Sequence, residues 1–188
     1  MTVFLKAALA ASLLLGPSAA VGPASFIRDH SAIVRVDCAE GSGTAFRVGK
    51  HLLLSVNHVT SGKGCTIDGE PIQVIYSSPK QDFTMLRSDE DGETMGIDCG
   101  GFVKDRIYIS IGYARGLDTT TSVELQGTGE VYGNLSALIG TFTVIPGMSG
   151  GPIMDADSGK VVGTVNTYDY PDGISGSVAL KGTPVCRN

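Results

Sequence analysis

The 188-residue sequence predicts an all-β protein. Glycine is abundant, with 26 residues, and beyond the first twenty residues no stretch has the hydrophobic periodicity of a helix. Short runs rich in β-branched and aromatic residues alternate with turn residues instead, a pattern typical of β-barrels and β-sandwiches. An acidic, glycine-containing segment that is poor in β-formers, 88–101, interrupts these runs. It is therefore the expected link between two lobes.

The expected strands fall on both sides of this linking segment. Five runs precede it, at 32–38, 44–49, 51–56, 72–77 and 83–88. Six runs follow it, at 106–113, 122–133, 135–145, 152–156, 160–168 and 173–180. With the N-terminal segment set aside, the expected lobes are 21–98 and 99–188, together one domain.

The first twenty residues, 1–20, have the layout of a secretory signal peptide. Lys6 is their only charged residue, an apolar run covers 7–15, and small residues follow at Gly16, Ser18 and Ala20. Because a membrane-spanning helix needs about 20 apolar residues, this run is short for a span. We expect cleavage near Ala20, which leaves no stable membrane anchor and an exported chain, secreted or periplasmic. A buried or membrane-anchoring N-terminal helix is the alternative interpretation.

Charge and cysteine content restrict the partners of this chain. The formal net charge is −5, and no basic stripe is present, which argues against nucleic acid or anionic lipid as a main partner. Four cysteines in an exported chain suggest two disulfides, for which three pairings exist. We favour Cys38–Cys65 and Cys99–Cys186, because the first pair brackets one compact segment. No Cys/His spacing matches a zinc site, so no metal is expected. The chain is also expected to be a monomer.

A turn near the C-terminal third carries the first candidate for chemistry. The stretch 145–154 reads IPGMSGGPIM and places three glycines and two prolines around Ser149. Gly and Pro interrupt regular elements, so this is a turn whose backbone path matters. A hydroxyl at its tip is either a nucleophile or an ordinary polar loop residue. The choice depends on whether the chain supplies a base and a group that orients it.

His58 and Asp82 are the candidates for those two roles. Of the three histidines, His58 directly follows an apolar run, in LLLSVNHVT, where a strand is expected to deliver it to an edge. Asp82, in KQDFTMLRS, stands at the start of an expected strand, where a carboxylate can hold the ring N–H of an imidazole. Taken singly, each residue also fits a structural role, His58 as a satisfied histidine and Asp82 as a turn cap.

Together, three stretches resemble one family. GSGTAFRVGKHLLLSVNHV, DFTML and PGMSGGPI, in that order, resemble the chymotrypsin-like serine proteases, and most of all their compact bacterial and viral members. The resemblance covers nearly all of the expected mature chain in order and spacing. It implies two six-stranded antiparallel β-barrels with the active site in the cleft between them.

The resemblance also implies a role for each matching residue. His58 would be the general base, Asp82 its orienting partner and Ser149 the nucleophile, with the backbone N–H groups of Gly147 and Ser149 as the oxyanion hole. The implied activity is a secreted serine endopeptidase that cuts polypeptides through an acyl-enzyme and needs no cofactor. Two alternatives stay open: a catalytically silent binding module on the same fold, and an unrelated β-sandwich in which the motifs coincide.

Several positions depart from the family pattern. Met148 stands where the digestive enzymes have an aspartate that pairs with a newly cut N-terminus, so we expect no activation of that kind. Asn57 replaces a small alanine before the histidine. The resemblance places Thr143 at the base of the primary specificity pocket, where a threonine disfavours Lys or Arg and suggests a neutral or small-to-medium apolar residue. The expected pocket wall consists of Thr164, Val165, Asn166, Thr167 and Tyr168.

Overall fold

The structure is a computed structural model that describes residues 31–126, 128–132, 135–140, 145–166 and 175–187. Its regular structure is almost entirely β-strand, arranged in two antiparallel sheets. The helical segments among the described residues are single turns, far too short to cross a membrane. The expected signal peptide, 1–20, lies outside the described residues.

The first sheet is built from the N-terminal half of the described chain. It contains β1 (Ile33–Cys38), β2 (Gly41–Gly49), β3 (Leu52–Ser55), β4 (Thr66–Ile67), β5 (Glu70–Pro71), β6 (Gln73–Ser78) and β7 (Phe83–Arg87). The order across the sheet is β5-β4-β1-β2-β3-β7-β6. The two strands at the ends of this order are separated in the chain by Ile72 alone, so the ends of the sheet meet and the seven segments occupy six positions around a barrel.

The second sheet repeats this arrangement. It contains β8 (Ile107–Gly112), β9 (Thr121–Gln126), β10 (Thr128–Tyr132), β11 (Leu135–Gly140), β12 (Pro152–Asp155), β13 (Val161–Val165) and β14 (Ser175–Ala179). The order is β10-β11-β14-β13-β12-β8-β9. Here too the strands at the two ends, β9 and β10, are one residue apart in the chain. The all-β prediction with two antiparallel barrels is confirmed.

The differences from the expected strands have local causes. β4 and β5 form a hairpin of two-residue strands, too short to leave a hydrophobic pattern in the sequence. The run expected at 122–133 is two strands, β9 and β10. After β3 the chain forms one helical turn, α1 (Asn57–Thr60), closed by the Thr60 N–H and hydroxyl, which both donate to the carbonyl of Val56. His58 therefore lies on a helical turn and not at a strand edge.

An apolar cluster joins the two sheets. Phe46, Leu54 and Phe83 of the first sheet pack with Ile111, Met154 and Val161 of the second. These side chains are at most 5% exposed. Burial of this kind contributes about 25 cal/mol for each Å² of apolar surface removed from water, so the contact between the sheets is part of the core. The two sheets therefore share a buried apolar contact beside the cleft.

The linking segment is itself attached to both sheets. The backbone N–H of Met95 donates to the carbonyl of Arg47 in β2, at 2.8 Å. Ile97 forms a parallel bridge with Val161 in β13. The Arg47 side chain, only 2% exposed, donates to the carbonyl of Glu90 at 2.7 Å. The lobe boundary expected between residues 98 and 99 lies within this attached segment.

Two disulfides complete the covalent framework. Cys38 pairs with Cys65, which ties β1 to the segment that follows α1. Cys99 pairs with Cys186, which ties the linking segment to a short 3₁₀ turn, Pro184–Cys186. These are the pairs that the sequence analysis favours. Disulfides persist in oxidising compartments, so the pairs suggest an environment outside the cytoplasm.

Candidate active site

His58 lies on the helical turn α1, three residues after the end of β3 at Ser55. Its backbone N–H donates to Asp82 Oδ1 at 2.8 Å, and its ring Nδ1 lies 2.7 Å from Asp82 Oδ2. The side chain is 44% exposed, and His58 lines a cavity next to the turn of Ser149. An Nδ1–H bond to the carboxylate fixes the tautomer in which Nε2 can accept a proton.

Asp82 is held immediately before β7 in a constrained backbone conformation. Its φ is 45°, in the left-handed region that aspartate tolerates better than most residues, and its N–H donates to the carbonyl of Pro79. The carboxylate is 13% exposed. Burial alone would raise the pKa of Asp82, but hydrogen bonds from the ring and backbone N–H of His58 and from Asn166 outweigh it, and the pKa lies below its ordinary value.

Asn166 has a role that the sequence analysis does not contain. Its side chain is fully buried and its amide donates to Asp82 Oδ2 at 2.9 Å and to the carbonyl of Asp82 at 3.0 Å. Its own amide oxygen accepts from Thr164 Oγ1 at 2.8 Å. Asparagine directly after a strand carries no signal of such a contact, because its partner is 84 positions away in the chain.

The expected pocket wall is only partly described. Thr164, Val165 and Asn166 are each at most 1% exposed, and the two polar side chains among them are bonded to each other. Thr143, Thr167 and Tyr168 lie outside the described residues. The specificity pocket therefore stays a prediction.

Ser149 sits in a tight turn between 145 and β12. The Met148 N–H donates to the carbonyl of Ile145 at 3.0 Å, and the Gly151 N–H donates to that of Met148 at 2.9 Å. Ser149 itself is 8% exposed. Gly147 has a φ of 95°, and a Cβ at this position would lie 2.3 Å from the carbonyl oxygen of Tyr113. The path of the turn therefore requires glycine at 147.

One cavity brings His58 and Ser149 together. It has a volume of about 360 Å³, and its lining also includes Cys38, Glu40 and Gly147. None of the described residues 164–166 lines it. Of the three residues expected as a triad, Asp82 contacts His58 directly, and His58 and Ser149 line the same cavity. Within the described residues, no group of three or more His, Cys, Asp or Glu side chains is arranged to hold a metal ion.

No family model and no curated protein matches the sequence. Solved structures do match the fold. The HtrA-type protease AlgW with a tripeptide is 24% identical with a TM-score of 0.68, over 85% of this chain and 60% of that one. The active form of the Rv3671c protease from M. tuberculosis is 18% identical with a TM-score of 0.65, over 83% and 78%. A human pathogenic astrovirus serine protease is 20% identical with a TM-score of 0.60, over 82% and 93%.

This chain has the chymotrypsin-like serine protease fold. It spans less than two thirds of the length of the HtrA-type protease.

Met148 and Asn57 depart from the usual pattern of chymotrypsin-like proteases, and the structure describes the surroundings of both. Met148 is 1% exposed and packs in the apolar cluster of the second sheet, against residues that include Tyr108 and Ala114. An apolar position of this kind offers no carboxylate to a new N-terminus. The Asn57 amide donates to Ser77 Oγ at 2.7 Å, so the polar group beside the expected base has a partner.

Proposed function

We propose that this chain is a secreted serine endopeptidase that cleaves polypeptides through an acyl-enzyme intermediate. The observation that carries the proposal is the 2.7 Å contact between His58 Nδ1 and Asp82 Oδ2, beside a cavity that His58 shares with Ser149. The chymotrypsin-like fold supports it. The alternative is a binding module on the same fold that does not turn over.

The proposed reaction begins with proton transfer to His58. As Ser149 Oγ attacks the scissile carbonyl carbon, its proton moves to His58 Nε2 and the carbonyl oxygen becomes an oxyanion. The imidazolium then gives that proton to the leaving amine, the C–N bond breaks, and an ester to Ser149 remains. Water then attacks the ester carbonyl carbon while His58 takes one of its protons, so that a new C–O bond and a second oxyanion form. The bond to Ser149 Oγ breaks, the proton passes to that oxygen, and the carboxylic acid product is released. Asp82 stabilises the imidazolium throughout.

The turn around Ser149 would supply the electrostatic part of catalysis. In this proposal the backbone N–H groups of Gly147 and Ser149 donate to the developing oxyanion. Removal of one such donor costs about 3–4 kcal/mol of transition-state stabilisation, so the geometry of the turn would make a substantial contribution to the rate. The positive φ of Gly147 and its close approach to Tyr113 support this function for the turn.

The cavity fits the leaving side of the substrate. The acyl side is expected to bind near Thr143 and 164–168, and none of the described residues 164–166 contributes to the cavity. The cavity extends from Ser149 past His58 to Cys38 and Glu40. Of its described lining residues, His58 and Glu40 are the ionisable ones, and Glu40 is exposed. We therefore expect a cationic side chain to be favoured shortly after the scissile bond.

Export of the chain belongs to the same proposal. The layout of residues 1–20 and the two disulfides both support passage into an oxidising compartment.

The deciding experiment is covalent labelling with a fluorophosphonate probe. The disulfide-intact chain should be labelled, whereas Ser149→Ala and heat-denatured samples should not. Ser158→Ala, an exposed serine in the turn after β12, is the matched control and should label like the wild type. Absence of labelling in the folded wild type would favour the binding module. Hydrolysis of a peptide by Ser149→Ala would contradict the assignment of the nucleophile.

A further inference from the structure

Thr44 is a fully buried residue of β2, in the first sheet. Its side chain contacts residues on the side of the second sheet. Its Oγ1 donates to the carbonyl of Gly147 at 2.8 Å and accepts from the backbone N–H of Tyr113 at 3.0 Å. A hydroxyl has one proton and two lone pairs, so these two bonds fix its orientation. A Cβ at Gly112 would lie 2.9 Å from Oγ1, so the glycine there leaves room for the hydroxyl.

The backbone of Thr44 contacts the same turn. Its N–H donates to the carbonyl of Ser149 at 2.8 Å. Its carbonyl accepts from Ser55 Oγ at 2.8 Å, and a Cβ at Gly150 would lie 2.2 Å from that carbonyl oxygen. Thr44 therefore contacts the turn around Ser149, residues 145–151, at Gly147, Ser149 and Gly150; we call this segment the nucleophile turn.

The contacts at Gly147 bear on a residue of the turn that needs an anchor. Gly147 is at positive φ, and a glycine rotates about its backbone bonds more easily than any other residue. The nitrogen and the carbonyl carbon of Gly147 are bonded to the same α-carbon, so anchoring the carbonyl restricts the directions that the N–H can take. The Met148 N–H in the same peptide plane is also bonded, to the carbonyl of Ile145. The Thr44 hydroxyl therefore holds the carbonyl end of the Gly147–Met148 peptide plane, and the carbonyl of Ile145 holds its N–H end.

We propose that Thr44 is a positioning residue that holds the Gly147–Met148 peptide so that the N–H groups of Gly147 and Ser149 point at the oxyanion. It belongs to the first sheet and the turn belongs to the second, so its hydroxyl makes the geometry of the turn depend on the contact between the sheets. This inference rests on the proposed protease function.

The test compares variants that keep or remove the hydroxyl. Thr44→Val preserves the shape of the side chain and removes both of its hydrogen bonds, Thr44→Ala removes the hydroxyl in a smaller side chain, and Thr44→Ser keeps the hydroxyl. The measurements are kcat and KM on a peptide substrate, the inhibition constant of a peptide aldehyde, and the thermal midpoint. A peptide aldehyde adds Ser149 Oγ to its carbonyl carbon and presents the resulting hemiacetal oxygen to the oxyanion hole, so its affinity reports on that hole.

The expected result is a loss confined to the transition state. Because one oxyanion donor is worth a factor of about 10²–10³ in kcat, its misdirection in Thr44→Val should lower kcat by about 10- to 100-fold and weaken the aldehyde by a similar factor, with KM within about twofold. Thr44→Ser should recover kcat to within about threefold. The matched control is Thr183→Val, which removes another buried threonine hydrogen bond, to the carbonyl of Leu180, away from the turn. It should lower the thermal midpoint and leave kcat and aldehyde affinity unchanged.

Two results would overturn the positioning role. One is a Thr44→Val or Thr44→Ala variant that loses thermal stability but keeps kcat and aldehyde affinity within about twofold. The other is a Thr44→Ser variant as impaired as Thr44→Val. Failure of the protease proposal is distinguishable, since the wild type itself would then neither label with the fluorophosphonate nor bind the aldehyde.

Discussion

Asn166 holds Asp82 from the second sheet. Its amide donates to both the carboxylate, at 2.9 Å, and the main-chain carbonyl, at 3.0 Å, of a residue that immediately precedes β7 of the first sheet. The Thr164 hydroxyl, bonded to the amide oxygen of Asn166, settles which end of the amide faces Asp82. The carboxylate that orients His58 is thus itself oriented across the cleft.

Replacement of this amide should affect both stability and rate. Asn166→Leu leaves a partly buried carboxylate with one donor fewer, which should destabilise the fold by about 1–3 kcal/mol. Hydrolysis should also slow, because Asp82 is then less firmly placed against His58. Denaturant unfolding and peptide hydrolysis measure the two effects. Asn57→Ala is the matched control for stability, since its amide reaches an exposed serine and its loss should cost no more than about 0.5 kcal/mol. Equal stability of the two variants would contradict the anchoring role.

Acid should destabilise the chain through two carboxylates. Burial would raise the pKa of Asp155, but donors from Arg106 and Ser158 outweigh it and the pKa is lowered, as it is for Asp82. A folded-state pKa below the unfolded value means that the stabilisation is present above the ordinary aspartate pKa of about 3.9 and is lost as pH falls through the lower folded value. We expect constant unfolding free energy from neutral pH to about pH 5 and a decline below about pH 4.

Substitution of Asp155 measures how much this carboxylate contributes to the loss of stability in acid. Its carboxylate is 4% exposed, and accepts from Arg106 at 2.6 Å and from the backbone N–H of Ser158 at 2.8 Å. Asp155→Asn should lower the unfolding free energy at neutral pH by about 2 kcal/mol and flatten its decline in acid. Asp118→Asn, at an exposed carboxylate paired with Arg35, should change neither. An unchanged acid slope in Asp155→Asn would show that its carboxylate is not the titrating group.

Alanine substitutions at two glycines, Gly147 and Gly182, should distinguish the effect of backbone strain from that of a steric clash. Gly147 and Gly182 both have positive φ, 95° and 83°, but a Cβ at Gly147 would lie 2.3 Å from the Tyr113 carbonyl oxygen, whereas Gly182 has open space around it. Alanine at either position costs about 1–2 kcal/mol from the left-handed conformation alone. Gly147→Ala should additionally displace the nucleophile turn and abolish fluorophosphonate labelling, whereas Gly182→Ala should label normally. Normal labelling of Gly147→Ala would mean that the turn tolerates another path.

Glu40 should influence which peptides are cut. It lines the cavity on the expected leaving side, so a peptide with Lys or Arg in the first positions after the scissile bond should be favoured over one with Asp or Glu. Glu40→Lys should reverse this preference in a peptide-library profile. Glu70→Lys provides the control, because the carboxylate of Glu70 in β5 is exposed and lies outside the cavity. A leaving-side profile that is the same for wild type and Glu40→Lys would contradict the role of this carboxylate.

Much of the fold and the candidate triad could be predicted from the sequence because their signals are local. The residues around His58, Asp82 and Ser149 each form a short motif, and apolar runs bounded by turn residues predict most of the strands. Asn166 and Thr44 could not be assigned in this way. Their partners lie 84 and 103 positions away, and no local pattern of residue types records a bond that only the packed sheets create. The helical turn at His58 is four residues long, too short for any periodicity.

The apolar cluster shared by Phe46, Leu54 and Phe83 with the second sheet has a consequence for how the molecule comes apart. Neither sheet can bury the side chains of this cluster without the other, so separation of the two sheets exposes the rings of Phe46 and Phe83 to water. The two halves should therefore melt as one cooperative unit, and a chain truncated at the linking segment should aggregate rather than survive as a stable fragment.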